Sequence, residues 1–282
     1  MELYELISQI KPGDKKAYEA CIYHFDHIAK PVGSLGKLET LLAAVAGASG
    51  TPKIDISKKC VLVFCADNGV LAQGVAQSTH DVTTAIANSL VRKTTSVNAM
   101  AAACGADVFP IDMGMIDQVE GLLPCSLARG TNDISEGPAM TIQQAKQGIL
   151  TGIELVRQRK EEGYRIIATG EAGIGNTTTS SAILSCLLNV PVEQVTGRGS
   201  GLTDEGLIRK QNAIKKALKV NQPDSSDALD VLSKVGGFDI AGMVGAFLGG
   251  ALYGIPVIMD GFISGVAALL AVKICPHVKD YI

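Results

Sequence analysis

The sequence predicts an α/β fold: a mostly parallel sheet with helices on both faces, joined to a small helical lobe. Three observations carry this. From residue 60 onward, short apolar runs alternate with longer segments of helical period, the pattern of strands joined by crossover helices. The run Cys60–Ala66 (CVLVFCA) is apolar throughout, as a strand covered on both faces must be. The 282 residues, 47% of them hydrophobic, can bury one large core, with length left for a small lobe but not for two independent domains.

The elements follow in order. Leu3, Leu6, Ile7 and Ile10 recur at helix spacing, Pro12-Gly13 interrupts them, and a second helix runs to Ala29. Residues 1–29 are read as helices of the small lobe and residues 30–282 as the α/β domain. Residues 30–36 (KPVGSLG) form a turn-rich connector to a helix over 38–48. The strand at 60–66 is followed by helices at 81–92 and 95–104, and a strand at 107–113 that contains Pro110. The polar stretch 114–139 is long for a compact domain, which points to function. A helix over 141–163, a strand over 165–169 and a helix over 176–188 come next. Residues 192–196 are read as a short strand, 204–220 and 239–252 as helices, 256–259 as a strand and 263–274 as a helix.

Composition excludes several classes. The net charge is −3 and tryptophan is absent, so neither a basic surface nor an aromatic platform for nucleic acid is expected. No apolar run reaches the about 18 residues of a membrane span, and the acidic, amphipathic opening Met1-Glu2-Leu3-Tyr4-Glu5 does not read as a leader. Seven scattered cysteines without a C-x-x-C pair are expected to be reduced, mostly buried thiols of a cytoplasmic protein.

In open α/β sheets the ligand crevice lies beyond the carboxyl ends of the strands. There the sequence offers Asp67-Asn68-Gly69, Asp112-Met113-Gly114, Gly170–Thr178 (GEAGIGNTT), Gly197–Gly201 (GRGSG) and Asp260-Gly261. Glycines and carboxylates at each end point to one polar, glycine-lined site. Residues 170–178 run from strand into helix, so free amides and the positive helix end can hold a phosphate. Thr177 and Thr178 add hydroxyls; Asn176 also reads as the helix cap. The second glycine run, with Arg198 inside it and Lys210 in the next helix, has the composition of an anion site. Glu171 is either a base whose proton affinity is raised by an apolar neighbourhood or an anchor for loop amides. Ser78, Thr79 and His80 can hydrogen-bond a planar heterocycle. His80 has no companion at ligand spacing, so no metal site is expected. No G-x-S-x-G elbow supports a hydrolase triad.

Eight blocks then stand in order: residues 30–39 (KPVGSLGKLE), 66–70 (ADNGV), Gly74-Val75 with Val82-Thr83, 112–114 (DMG), Gly130-Thr131 with 136–141 (EGPAMT), 170–178, 197–199 (GRG) and Asp260-Gly261. Together they closely resemble the nicotinate-nucleotide–dimethylbenzimidazole phosphoribosyltransferase family, called CobT, from about residue 30 to the end. The resemblance implies a Rossmann-like sheet, a small helical lobe and a homodimer, without metal or cofactor. It implies transfer of ribose 5-phosphate from nicotinate mononucleotide to 5,6-dimethylbenzimidazole, giving α-ribazole 5′-phosphate and nicotinate. It implies that Glu171 is an active-site glutamate. Gly173, Gly175, Asn176, Thr177, Thr178, Gly199, Ser200 and Lys210 would bind the nucleotide phosphate, and Ser78, Thr79 and His80 would line the base pocket. Asp67, Asn68, Asp112 and Asp260 complete the rim. The family pattern continues past Ile282 into a Gly-Glu-Gly stretch with the assigned general base. No position here matches that glutamate, Glu171 is the candidate to substitute for it, and the small lobe is expected to be incomplete. A second reading is therefore a non-catalytic form that binds nucleotide or base. Ser78-Thr79-His80 also replaces the family's usual aromatic-Pro-Gln, which opens the pocket to another benzimidazole, a purine or a phenol.

Overall fold

The computed structural model describes residues 2–282. Its five strands are β1 (Lys59–Ala66), β2 (Ala106–Gly114), β3 (Leu123–Pro124), β4 (Ile166–Ala172) and β5 (Val257–Ile258), all parallel, in the order β3-β2-β1-β4-β5. The chain first winds outward from β1 to β2 and β3, then returns to the other side of β1 with β4. This is a Rossmann-like sheet whose strand order reverses between β1 and β4.

The helices are α1 (Leu3–Ile7), α2 (Lys15–His27), α3 (Lys37–Ser49), α4 (His80–Val91), α5 (Ser96–Cys104), α6 (Ile142–Glu161), α7 (Asn176–Leu188), α8 (Val192–Val195), α9 (Asp204–Asn221), α10 (Ala228–Val235), α11 (Phe238–Tyr253) and α12 (Phe262–Ile274). Both sheet faces are covered, because side chains alternate along each strand. Leu62, Phe64 and Ala66 of β1 enter the main core with residues of α6, α11 and α12. Val63 and Cys65 point the other way, into a smaller cluster with Ala87 and Leu90 of α4.

The closest packing joins α6 and α11. A Cβ on Gly152 of α6 would lie 2.1 Å from the Gly242 carbonyl, and one on Gly245 of α11 would lie 2.1 Å from the Ile149 carbonyl. The two backbones therefore touch, and only glycine permits it. On the sheet side of α11, Gly242 leaves room for the ring of Phe64 and for Met113. This fixes the head of α11, with Phe238 and Asp239, under the strand ends.

Two sequence expectations need correction. Residues 192–195 form the helical turn α8, not a strand. Pro191 stands before its first residue and the 192–196 segment never reaches the sheet. The fifth strand is instead the two-residue β3, inside the long stretch 114–139. That stretch is pinned to the sheet: the Thr131 amide donates to the Asp67 carbonyl and the Gly130 amide to the Gly114 carbonyl. Helix α10 had also not been expected.

At the N-terminal end, α1 contacts α6 and α11, while α2 packs against α3. Cys21 of α2 shares a small core with Ala43 and Ala46 of α3. The expected division after residue 29 falls between these two helices. The connector between them is held by Glu39, which accepts from Lys30 Nζ at 2.8 Å and from the Leu35 amide at 3.0 Å. No helix among the described residues is long and apolar enough to cross a membrane.

Candidate active site

The site forms where β1 and β4 end side by side. Beyond β4, Gly175 takes φ +100° and serves as the N-cap of α7. Asn176 is thus the first helical residue rather than the cap. The first amides of α7 have no intrahelical acceptor and lie at the positive end of the helix. A Cβ on Gly173 would meet the Ala66 carbonyl at 2.5 Å, and one on Gly175 would meet Asn68 Cβ at 3.2 Å. These two glycines let the 173–176 turn settle against the end of β1.

The Asn176 carboxamide, 4% exposed, donates from Nδ2 to two carboxylates: Glu171 Oε2 at 2.5 Å and Asp239 Oδ2 at 2.9 Å. Glu171 has its pKa raised, first by burial, with the nearby Asp260 charge adding to it and the Asn176 hydrogen bond opposing it. Asp239 is fully buried; burial, followed by the Glu171 charge, pushes it up to about 7. Asn68 completes this enclosure. It is 3% exposed, and neither end of its amide has a hydrogen-bond partner among the described residues.

One residue further along α7 the chemistry changes sign. Thr177 Oγ1 accepts from Lys210 Nζ at 2.6 Å. Lys210, on α9, is 1% exposed and has no carboxylate partner among the described residues. Burial lowers its pKa to about 8. Gly199 closes over this pair: a Cβ there would lie 3.3 Å from Thr177 Oγ1 and 3.4 Å from Lys210 Nζ. A cavity of about 450 Å³ opens alongside, lined by Thr177, Gly199, Val195, Leu184 and Phe262. A larger cavity of about 790 Å³ lies away from the strand ends, between β3 and α6. It holds none of the glycines or buried carboxylates of the rim.

The fold thus gathers Asn68, Glu171, Gly173, Gly175, Asn176, Thr177, Gly199 and Lys210 into one region, with exposed Asp260 at its edge. Ser78, Thr79 and His80 lie at the start of α4 on the same rim. Ser78 is half-buried and the other two are exposed. Gln77, just before them, donates to the Gly201 carbonyl at 2.5 Å, which joins this segment to the glycine turn carrying Ser200. Burial raises the pKa of Asp67, and the nearby His80 opposes that rise.

Other expected residues have different work. Asp112 Oδ1 accepts from the amides of Gly114 and Met115, both at 2.9 Å, so it anchors its own turn. Asp67 Oδ2 accepts from the Ile116 amide at 2.8 Å and holds the 114–139 stretch. Thr178 is fully buried, and its hydroxyl has no hydrogen-bond partner among the described residues. Arg198 pairs with Asp204 and donates to the Leu202 carbonyl; it braces the glycine turn. Asp239 was missing from the sequence reading. Its one signal was a carboxylate heading an otherwise apolar, glycine-rich helix, where no cation or exposed surface was on offer.

A glycine-lined helix start with a buried lysine at a strand-order reversal defines a class: enzymes that hold a phosphorylated ligand at the sheet's carboxyl edge. The family model described as phosphoribosyltransferase matches residues 10–282. The chain is 40% identical to the nicotinate-nucleotide–dimethylbenzimidazole phosphoribosyltransferase of Clostridium tetani over 99% of its length, covering 78% of that protein. It is 42% identical to the one from Clostridium acetobutylicum over 100% of its length, covering 81% of that protein. The crystal structure of CobT from Thermus thermophilus superposes with a TM-score of 0.88 at 33% identity, over 94% of this chain and 80% of that one. The chain belongs to the nicotinate-nucleotide–dimethylbenzimidazole phosphoribosyltransferase family and is by that membership a pentosyltransferase.

Proposed function

We propose that the chain transfers the 5-phosphoribosyl group of nicotinate mononucleotide to a ring nitrogen of 5,6-dimethylbenzimidazole, releasing nicotinate and α-ribazole 5′-phosphate. The observation that carries this is the pairing, on consecutive residues of one helix start, of a buried carboxylate site with a buried lysine–threonine anchor. Lys210, Thr177, Gly199, Ser200 and the 173–176 amides receive the 5′-phosphate. Ser78, Thr79 and His80 lie where the rim takes the flat base. Glu171 faces the reacting centre between them.

In the reaction, the bond from C1′ to the nicotinate nitrogen breaks, and its electron pair returns to the pyridine ring. A benzimidazole nitrogen bonds to C1′, and the N–H proton of the resulting benzimidazolium passes to the Glu171 carboxylate and on to solvent. Burial raises the affinity of Glu171 for that proton, which suits a base working near neutral pH. Holding both reactants on one rim replaces a bimolecular encounter by an oriented one. The reading includes a homodimer, as the family resemblance implies, and a reducing, cytoplasmic setting, which suits seven free thiols. It also groups residues 1–29 with a small lobe and residues 30–282 with the α/β domain.

The test mixes the purified chain with both substrates and follows nicotinate release. Glu171→Gln is expected to lower kcat by about 10²–10⁴-fold while KM for nicotinate mononucleotide stays within threefold. An unchanged kcat removes Glu171 from the mechanism. Thermal stabilisation by the nucleotide without nicotinate release would instead support the binding-only reading.

A further inference from the structure

We infer that Asp239 is a positioning residue for Glu171: Asn176 bridges the two into a carboxylate pair in which Asp239 carries the proton, turned toward Asn68, and Glu171 stays the anion facing the substrates. This deepens the transfer reading above and rests on it for the role of Glu171.

The geometry is that of a sealed pair. One carboxamide nitrogen donates one N–H to each carboxylate. Asp239 Oδ1 accepts from the Ile240 amide at 2.9 Å. The place a Cβ would take on Gly237 lies 2.5 Å from Asp239 Oδ1 and 2.7 Å from Asn68 Oδ1, and that on Gly173 lies 3.0 Å from Asp239 Oδ2. Two glycines and Asn68 therefore enclose the carboxyl group. Asn68 Oδ1 is a buried acceptor without a donor. Such an orphan is costly, and a carboxylic acid proton on Asp239, whose Oδ1 borders the same gap beside Gly237, would supply the donor.

Charge points the same way. No ion pair among the described residues involves Asp239, Glu171 or Asp260. The titratable groups facing the pair are Cys65 of β1, pushed up to about 12 by burial, and Asp260 beyond β5. Asp67, next to Asn68, faces His80 and Asp117. With no cation present, two ionised carboxylates on one amide are disfavoured, and one of them keeps its proton near neutral pH. Full enclosure selects Asp239 for that role; Glu171, at the partly open edge, is the better-solvated anion.

The experiment reads the pair with and without turnover. Carboxyl ¹³C NMR titration of the wild-type chain is expected to show one carboxyl titrating near pH 7. That signal should vanish in Asp239→Asn and move down by at least one pH unit in Glu171→Gln. Asp239→Asn, which reproduces the neutral state, is expected to retain turnover at pH 6 with a lowered kcat, and with KM for nicotinate mononucleotide within twofold. It should also lose the inflection near pH 7 that is expected of the wild-type kcat profile. Titration of Asp239 below pH 5, or no response to Glu171→Gln, overturns the proposal and means that Asn68 turns its N–H toward an ionised Asp239. An Asp239→Asn enzyme that folds but loses activity throughout, or keeps the inflection, also overturns it. If the wild-type chain released no nicotinate, the transfer reading would fail, while the NMR titration would still decide the pairing.

Discussion

The first turn of α7 presents two sides to the rim, one residue apart. On the Asn176 side stand a buried and a half-buried carboxylate and no cation; on the Thr177 side stands a buried amine and no carboxylate. Both sides share one source of positive potential, the helix start. They differ in what the neighbouring elements contribute: β4 and α11 bring acids, α9 brings Lys210. A step of one residue turns a helix by roughly 100°, enough to separate a proton-handling pocket from an anion-holding one without a second loop. A phosphate would be repelled by the acidic side, and a base proton would find no acceptor on the other. In the proposed transfer the separation itself would orient a phosphoribosyl donor, with its ester end at Lys210 and its reacting carbon nearer Glu171.

The strongest way to break this arrangement is to spoil the turn that both sides hang from. Gly175 sits at φ +100° with Asn68 Cβ 3.2 Å from where its own Cβ would be. A β-branched residue there is strained by about 1–3 kcal/mol and must displace the turn. Gly175→Val is expected to lower nicotinate mononucleotide affinity more than 100-fold, measured by calorimetry, with a drop of several degrees in Tm. Wild-type affinity in a folded variant would refute the assignment of the phosphate to this helix start.

The fold was legible because strands that are buried on both faces must be apolar throughout, and β1 is from Cys60 onward. The boundaries of α7 were likewise readable from glycines followed by Asn-Thr-Thr. Residues 192–196 misled because a short β-branched run reads alike as strand or turn, and only the absence of a free sheet edge beside it decides. The glycines, Glu171 and Lys210 were legible because strand ends converge in this topology. What each carboxylate does there was not. Asp112 and Asp67 look like rim groups in sequence, yet one oxygen of each is taken by amides from residues 114–116. Asp239 looks like an ordinary first-turn acid, and only the packing of α11 beneath β1 brings it to Asn176.

Removing the cation alone gives a smaller effect than breaking the turn and sharpens which side holds the anion. Lys210→Gln is one atom shorter, keeps a donor and loses the charge. A charge-assisted hydrogen bond in a buried site contributes about 1.5–3 kcal/mol, so the nucleotide KM is expected to rise about 10–100-fold. Because the carboxylate side is untouched, kcat at saturation should fall less than threefold. A large loss of kcat at unchanged KM would move Lys210 from the anion side to the reacting centre.

The smallest effect is a pH dependence with opposite signs in free and bound protein. Burial lowers Lys210 from 10.5 to about 8. Between those values the unfolded chain holds a proton that the native amine has released. Native stability from this group therefore rises with pH across that window. Nucleotide binding needs the ammonium form, and the phosphate, whose second pKa is about 6, keeps its charge throughout. Affinity for nicotinate mononucleotide is therefore expected to fall about tenfold between pH 8 and 9.5, one pKa unit being a factor of ten, while the ligand-free protein gains stability to denaturant from this residue. Both slopes should flatten in Lys210→Gln. If affinity instead fell between pH 6 and 7.5 in step with Asp239, the acidic side of the helix start would be governing phosphate binding, and the division between the two sides would be wrong.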